Sequence, residues 1–170
     1  MGRRSLVLLV FSMFVFLFGC QAGTLSENKT DPTEVPSPPL TIVPPLLTVI
    51  INDEILSTTQ GSYCWSEERS KKHSMTECAD TEDPLLLEKA KEGEAPSFAP
   101  NSPVTISYSG AEDLETLGVV FQTAGNDTEL EVTLDQQEFE LPDEPGVYYY
   151  RTFASWEIGD TSHAFRVAVE

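Results

Sequence analysis

Basic side chains are scarce in this 170-residue chain, where 10 Lys and Arg stand against 28 Asp and Glu for a formal net charge of −18. Such a surface repels DNA, RNA and anionic lipid headgroups, each of which selects Lys and Arg, so no nucleic-acid partner is expected. It tolerates cationic partners, and it keeps an exported protein hydrated. Histidine is scarcer still, with His73 and His163 alone. Two histidines cannot build a three-histidine zinc site, and no His-Glu-x-x-His run occurs. His163 falls on the apolar side of a strand pattern, where a packed imidazole is expected rather than a base. His73 follows Lys71-Lys72 and reads as solvated. Of the 3 methionines, Met1 and Met13 lie in the N-terminal apolar stretch, which leaves Met75 and too few soft ligands for copper. Phosphate-loop and dinucleotide glycine spacings are missing, as is a Gly-x-Ser-x-Gly elbow. Ser26-Glu27-Asn28-Lys29 fits a Ser-x-x-Lys pattern, but nothing around it would desolvate the lysine. A non-enzyme without metal or cofactor is the expectation.

What is present begins at the N-terminus. Arg3 and Arg4 precede an uncharged run, Leu6 to Phe18, that is too short to read as a bilayer span and has the length of a signal-peptide core. It ends in Leu17-Phe18-Gly19-Cys20, which resembles the lipobox of bacterial lipoproteins. The resemblance implies that residues 1–19 are removed and that Cys20 is lipidated, with palmitate among its acyl chains. Two chains anchor stably where one does not. The protein would then sit on the extracytoplasmic face of the cell membrane. Phe18 stands where the lipobox usually carries a small residue, so plain secretion and an uncleaved anchor stay open.

Residues 20–45 read as a tether. Pro32, Pro36, Pro38, Pro39, Pro44 and Pro45 stand among Ser, Thr and acids, without apolar periodicity. Proline removes amide donors and favours the extended polyproline conformation, about 3.1 Å per residue, so the segment could reach about 75 Å from the lipid. With Cys20 assigned to lipid, Cys64 and Cys78 form an even pair across a polar stretch. Their spacing suits neither a Cys-x-x-Cys redox site nor a zinc knuckle. A disulfide is expected, with free thiols or a metal pair as alternatives.

From Leu46 onward the pattern has a period of two. Leu46–Ile51 is a β-branched run closed by Asn52-Asp53, and 54–63 reads as a second strand interrupted by Gly61. Residues 66–84 read as irregular. Leu85–Lys91 is the one short helix, capped by Asp83 before Pro84. Val104, Ile106 and Tyr108 alternate with polar residues, as do Leu117, Val119 and Phe121. Leu130, Val132 and Leu134 do so against an acidic outer face, in a half-buried strand that Phe139 and Leu141 continue. The final hairpin sets Tyr148, Tyr150, Thr152, Ala154 and Trp156 on one face and Tyr149, Arg151, Phe153, Ser155 and Glu157 on the other. Alternation of this kind belongs to antiparallel sheets with one wet face. The expected fold is all-β, an antiparallel sandwich of seven to eight strands over residues 46–170.

Pro145-Gly146-Val147-Tyr148-Tyr149-Tyr150, with Ala154-Ser155-Trp156 and Ala164–Val169, resembles the closing hairpin of bacterial immunoglobulin-like domains. Gln60-Gly61-Ser62-Tyr63-Cys64-Trp65, with Cys78-Ala79-Asp80, resembles small lipoproteins of Bacillus-like Gram-positive bacteria. The first resemblance implies architecture and the second a membrane-surface location; neither implies an activity.

Three surface features are candidates for contact. Tyr149, Arg151 and Phe153 share the wet face of the hairpin, and Tyr and Arg are enriched where proteins bind one another, while stacked aromatics also hold sugars. The plainer alternative is that this face packs beneath residues 66–100. Asp80, Glu82 and Asp83 offer carboxylates to Ca²⁺ but lack the spaced ligands of a calcium loop, so an acidic turn is expected. Residues 66–84 could enter a protease cleft as an inhibitory loop. The functional expectation is a non-enzymatic binding module anchored in the membrane, its partner an envelope or secreted protein. A protease inhibitor or regulator and a cell-wall polysaccharide binder are the alternatives.

Overall fold

The computed structural model describes residues 42–70, 73–109 and 112–170, and it leaves Cys20, the 1–19 leader and residues 20–41 of the tether outside. Eleven strands and one helix lie within the described residues, more strands than the seven or eight the alternation predicts.

A four-stranded sheet contains β1 (Leu46–Ile51), β2 (Glu54–Leu56), β6 (Pro103–Ser109) and β9 (Glu138–Glu140), in the order β2-β1-β6-β9. The larger sheet runs β4 (His73–Ala79), β3 (Thr59–Ser70), β11 (Gly159–Val169), β10 (Gly146–Trp156), β7 (Thr116–Thr123), β8 (Asn126–Glu131). A two-residue strand, β5 (Ser97–Phe98), pairs in parallel with the far end of β11. All other pairings are antiparallel. Side chains from both sheets interdigitate in one core, so the fold is an all-β sandwich. Val49, Ile51, Val104 and Ile106 come from the small sheet, and Val119, Tyr150, Phe165 and Val167 from the large one. Tyr150 stacks on Phe165 with ring centroids 4.9 Å apart. Burying such side chains gives about 1.5–3 kcal/mol each.

The turn at Asn52-Asp53 forms as its composition predicts: both residues take positive φ, 49° and 66°, the backbone of a two-residue hairpin turn. The helix α1 (Pro84–Ala90) also forms where expected, with proline in its first turn and Asp83 accepting from the Leu85 amide.

Elsewhere the sequence reading is corrected. Residues 54–63 are not one strand, because the chain leaves the small sheet after Leu56 and enters the large one at Thr59. Gly61 does not interrupt β3. It admits the helix, since a Cβ there would stand 2.7 Å from Pro84 Cγ and 2.5 Å from Ser162 Oγ. Of residues 66–84, only 80–83 are irregular among those described: β3 continues to Ser70 and the chain returns as β4, in register from Tyr63↔Ala79 to Glu68↔Ser74. This ribbon is mostly exposed or half-exposed, so no apolar alternation marks it; cross-strand pairs such as Ser66 Oγ and Thr76 Oγ1 at 2.8 Å hold it instead. The acidic strand ends at Glu131 with Leu130 turned to solvent, while Val132 and Leu134 only flank the core. Phe139 belongs to the opposite sheet, paired with Val104.

At one end of the sandwich Ile42, Trp65, Ala154 and Trp156 make a second buried cluster. Ile42 is 1 % exposed, so packing begins four residues before the first strand. Among the described residues no helix is long and apolar enough to cross a membrane.

Candidate binding face of the large sheet

β10 lies between β11 and β7, and its alternation sends Tyr149, Arg151, Phe153 and Ser155 to the outer face. α1 packs against this side of β10, β11 and β3. The three candidate contact residues are therefore treated differently. Lys89 of the helix stands 5.7 Å above the Tyr149 ring, and its Nζ donates to Gln122 Oε1 at 2.5 Å and to Asp127 Oδ1 at 2.6 Å. Arg151 Nη1 donates to Asp83 Oδ2 at 2.7 Å, and its Nη2 to Glu129 Oε1. Tyr149 and Arg151 are thus half-buried, engaged by the helix and by β8. The alternative weighed from sequence holds for these two and fails for Phe153.

Phe153 is 45 % exposed. The Arg151 guanidinium lies 4.9 Å from its ring centroid, an attraction that fixes the ring while leaving much of it to solvent. Gly118 on β7 is directly opposite Phe153, and a Cβ there would meet nothing within 4 Å, so that flank of the ring is open. Beside it runs a shallow cleft of about 340 Å³ whose polar lining is Ser62, Thr116, Ser155, Asp160, Thr161 and Ser162. Thr116 Oγ1 and Ser155 Oγ are 2.5 Å apart, and Ser162 Oγ donates to the Ser62 carbonyl at 3.2 Å. An aromatic plane beside hydroxyls and one carboxylate can stack on an apolar ring face and exchange hydrogen bonds at its rim.

The disulfide is present. Cys64 and Cys78 face each other across β3 and β4 with Cα atoms 4.1 Å apart, on the outer side of the ribbon. The acidic run does not gather around a cation. Asp83 serves helix and arginine, Asp80 Oδ1 accepts from Ser62 Oγ at 3.4 Å, and Glu82 is exposed. No three His, Cys, Asp or Glu side chains converge as metal ligands among the described residues.

Histidine behaves as its strand position predicts. His163 is 1 % exposed, its ring centroid 5.5 Å from that of Tyr108, and burial pushes its pKa down to about 4. Both of its ring nitrogens lack a hydrogen-bond partner. A neutral, enclosed imidazole of this kind has no substrate to reach. The neighbouring Tyr108 hydroxyl is 2.7 Å from Thr152 Oγ1, and burial raises its pKa to about 12 although the Thr152 bond acts the other way. Tyr148 packs at the sheet corner and donates to the Glu144 carbonyl at 2.8 Å.

Sequence reasoning missed the partners of Arg151, which lie 68 and 22 residues away, and missed the cleft hydroxyls, which come from four strands, β3, β7, β10 and β11. It also missed Glu88, a carboxylate 1 % exposed under the helix that accepts from Thr59 Oγ1 at 2.6 Å and from Lys91 Nζ at 2.5 Å. No family model, no curated protein and no solved structure matches the chain.

Proposed function

We propose that this protein is a lipid-anchored, extracytoplasmic binding module without catalytic activity, and that its ligand contact is the cleft beside Phe153. The exposed, arginine-braced ring of Phe153 carries this reading. A large aromatic left open on a sheet, while its two neighbours on the strand are covered, is a feature that folding alone does not require. Its surroundings favour a saccharide of the cell envelope over a flat protein surface, since hydroxyls line the cleft and one wall is aromatic. The net charge of −18 disfavours polyanionic polymers and directs the proposal to neutral or amino sugars. The lipobox-like run ending at Cys20 supplies the membrane location of the proposal, and the proline-rich segment the reach into the wall.

The inhibitor reading remains a competitor with less support, because within residues 66–84 the described positions 66–70 and 73–79 pair as a ribbon and 80–83 lead into the helix. Binding of an envelope protein through the same face is the other competitor.

Two measurements test the proposal. Mass spectrometry of the membrane fraction should find a diacylglyceryl group on Cys20; an unlipidated chain in the medium would remove the anchor. Purified cell wall should sediment the wild-type protein and fail to sediment a Phe153→Ala variant. Equal sedimentation of both, or of neither, would refute the cleft as a saccharide site.

A further inference from the structure

Two adjoining clefts open on the side of the sandwich where β7 and β8 end the large sheet and β9 ends the small one. The first, of about 330 Å³, takes its apolar lining from Phe121, Val132, Phe139, Pro142 and Tyr150, with Glu131 and Glu140 exposed beside them. The second, of about 360 Å³, shares Thr133, Phe139 and Glu140 with it and adds Leu134, Asp135 and Glu138. Leu130, paired with Phe121 on the edge strand, is exposed as well. Phe139 pairs with Val104 and Val104 with Ile51, so β9 lies at the Ile51–Val104 end of β1 and β6. The described chain enters at the other end, where Ile42 packs with Trp65 and Trp156 ahead of the Leu46–Ser109 pair.

Charge around these clefts is of one sign. From Glu92 to Tyr150 the sequence holds thirteen acids and no Lys, Arg or His. The four Lys and Arg whose side chains are described, Lys89, Lys91, Arg151 and Arg166, bond to the helix, to the turn after it, or to β7 and β8 on the outer face. No Lys or Arg among the described residues pairs with Glu131, Asp135, Glu138 or Glu140. Apolar surface is thus left beside carboxylates that nothing described neutralises, and both would be satisfied by one kind of contact.

We propose that the clefts are a docking site for a Lys- or Arg-rich segment of a partner protein, which seats an apolar side chain against Phe121, Val132 and Phe139 and sets its cations on Glu131, Glu138 and Glu140. Charge complementarity selects this occupant. A second copy would bring the same carboxylates to the same place. The chain's own tether is a poor fit, since Glu27, Asp31 and Glu34 outnumber Lys29 over residues 20–41. The site is separate from the Phe153 cleft, which lies on the outer face of β10.

The probe is a labelled lysine-rich peptide with one central leucine, titrated with the full chain in mild detergent and followed by fluorescence anisotropy. Binding should saturate, and it should weaken about tenfold when serine replaces the leucine. Glu131→Gln combined with Glu140→Gln should weaken it about three- to tenfold, because two exposed ion pairs are lost while the fold is untouched. Glu92→Gln combined with Glu157→Gln removes the same charge from exposed positions after α1 and in the β10–β11 turn, and should leave binding unchanged. Absence of saturable binding would overturn the proposal. So would equal binding of the leucine and serine peptides, or an equal loss in the two double variants, which would reduce the attraction to net charge. Phe153→Ala should bind the peptide as the wild type does, so this site and the saccharide cleft succeed or fail separately.

Discussion

Asp83 serves two elements with its two carboxylate oxygens: Oδ1 accepts the Leu85 amide at 2.9 Å, and Oδ2 holds the Arg151 guanidinium at 2.7 Å. One side chain thus starts the only helix among the described residues and fixes that helix over the central strand. Because Arg151 also covers part of Phe153, the geometry of the candidate cleft depends on a residue 68 positions earlier.

Separating the two roles gives the first prediction. Asp83→Ala loses both, about 1 kcal/mol for the cap and about 0.5–1 kcal/mol for a pair whose aspartate is partly exposed. Asp83→Asn keeps the cap and should lose about a third to a half of that total. Urea denaturation of the three proteins measures the difference; equal losses would mean that the ion pair carries all of it.

A second prediction concerns the disulfide. Replacing Cys64 and Cys78 by serine should cost roughly 3 kcal/mol, the chain-entropy value for a loop of this size. The damage should be local, with amide protection lost first in β4 and β3 beyond Trp65 and retained in β10 and β11. Hydrogen exchange resolves the two regions, and uniform loss of protection would contradict the ribbon's separate stability.

His163 supplies a pH dependence whose sign follows from its burial. The folded protein holds its pKa at about 4, below the 6.5 of the unfolded chain, so protons bind preferentially to the unfolded state. The associated stability is fully present above pH 6.5, falls as the pH drops toward 4, and is lost below it. The loss should reach about 3 kcal/mol by pH 4. His163→Phe should remove this component and keep the acid response of the carboxylates, so the difference between the two stability–pH curves isolates it. Parallel curves would show that the imidazole is not buried neutral.

Glycines 118 and 159 make a contrast within one sheet. A Cβ at Gly159 would stand 2.2 Å from the Cys64 carbonyl oxygen, a backbone atom, whereas one at Gly118 meets nothing within 4 Å. Gly159→Ala should therefore cost about 3 kcal/mol through forced backbone displacement, and Gly118→Ala should be neutral or stabilising. Thermal melts of both variants check the pair.

The sandwich was legible because its core strands bury one face. Val104, Ile106, Tyr148 and Tyr150 alternate with half-exposed or exposed neighbours, and alternation is the trace that one-sided burial leaves, whereas β11 also buries Ala164 and Ala168 beside Phe165 and Val167. The β3–β4 ribbon left no such trace, since its residues from Ser66 to Thr76 face water on both sides where described. The break between Leu56 and Thr59 was invisible for a related reason. Changing sheets reverses which neighbours a strand meets without altering its composition. At the site, the outward direction of Tyr149, Arg151 and Phe153 could be read from parity alone. Which of them stays open could not, because the answer depends on Lys89, Asp83 and Glu129 arriving from distant elements. Asp83 itself was recognisable as a cap from its place before Pro84, and its second role was not.

The most direct test of the account is a titration of the protein with solubilised cell-wall saccharide, followed by amide chemical shifts. The account predicts saturable shifts confined to Phe153, Ser155, Asp160, Ser162 and their cross-strand neighbours Thr116 and Gly118, absent in Phe153→Ala. No shifts at the highest saccharide concentration, or shifts centred away from the cleft, would contradict it.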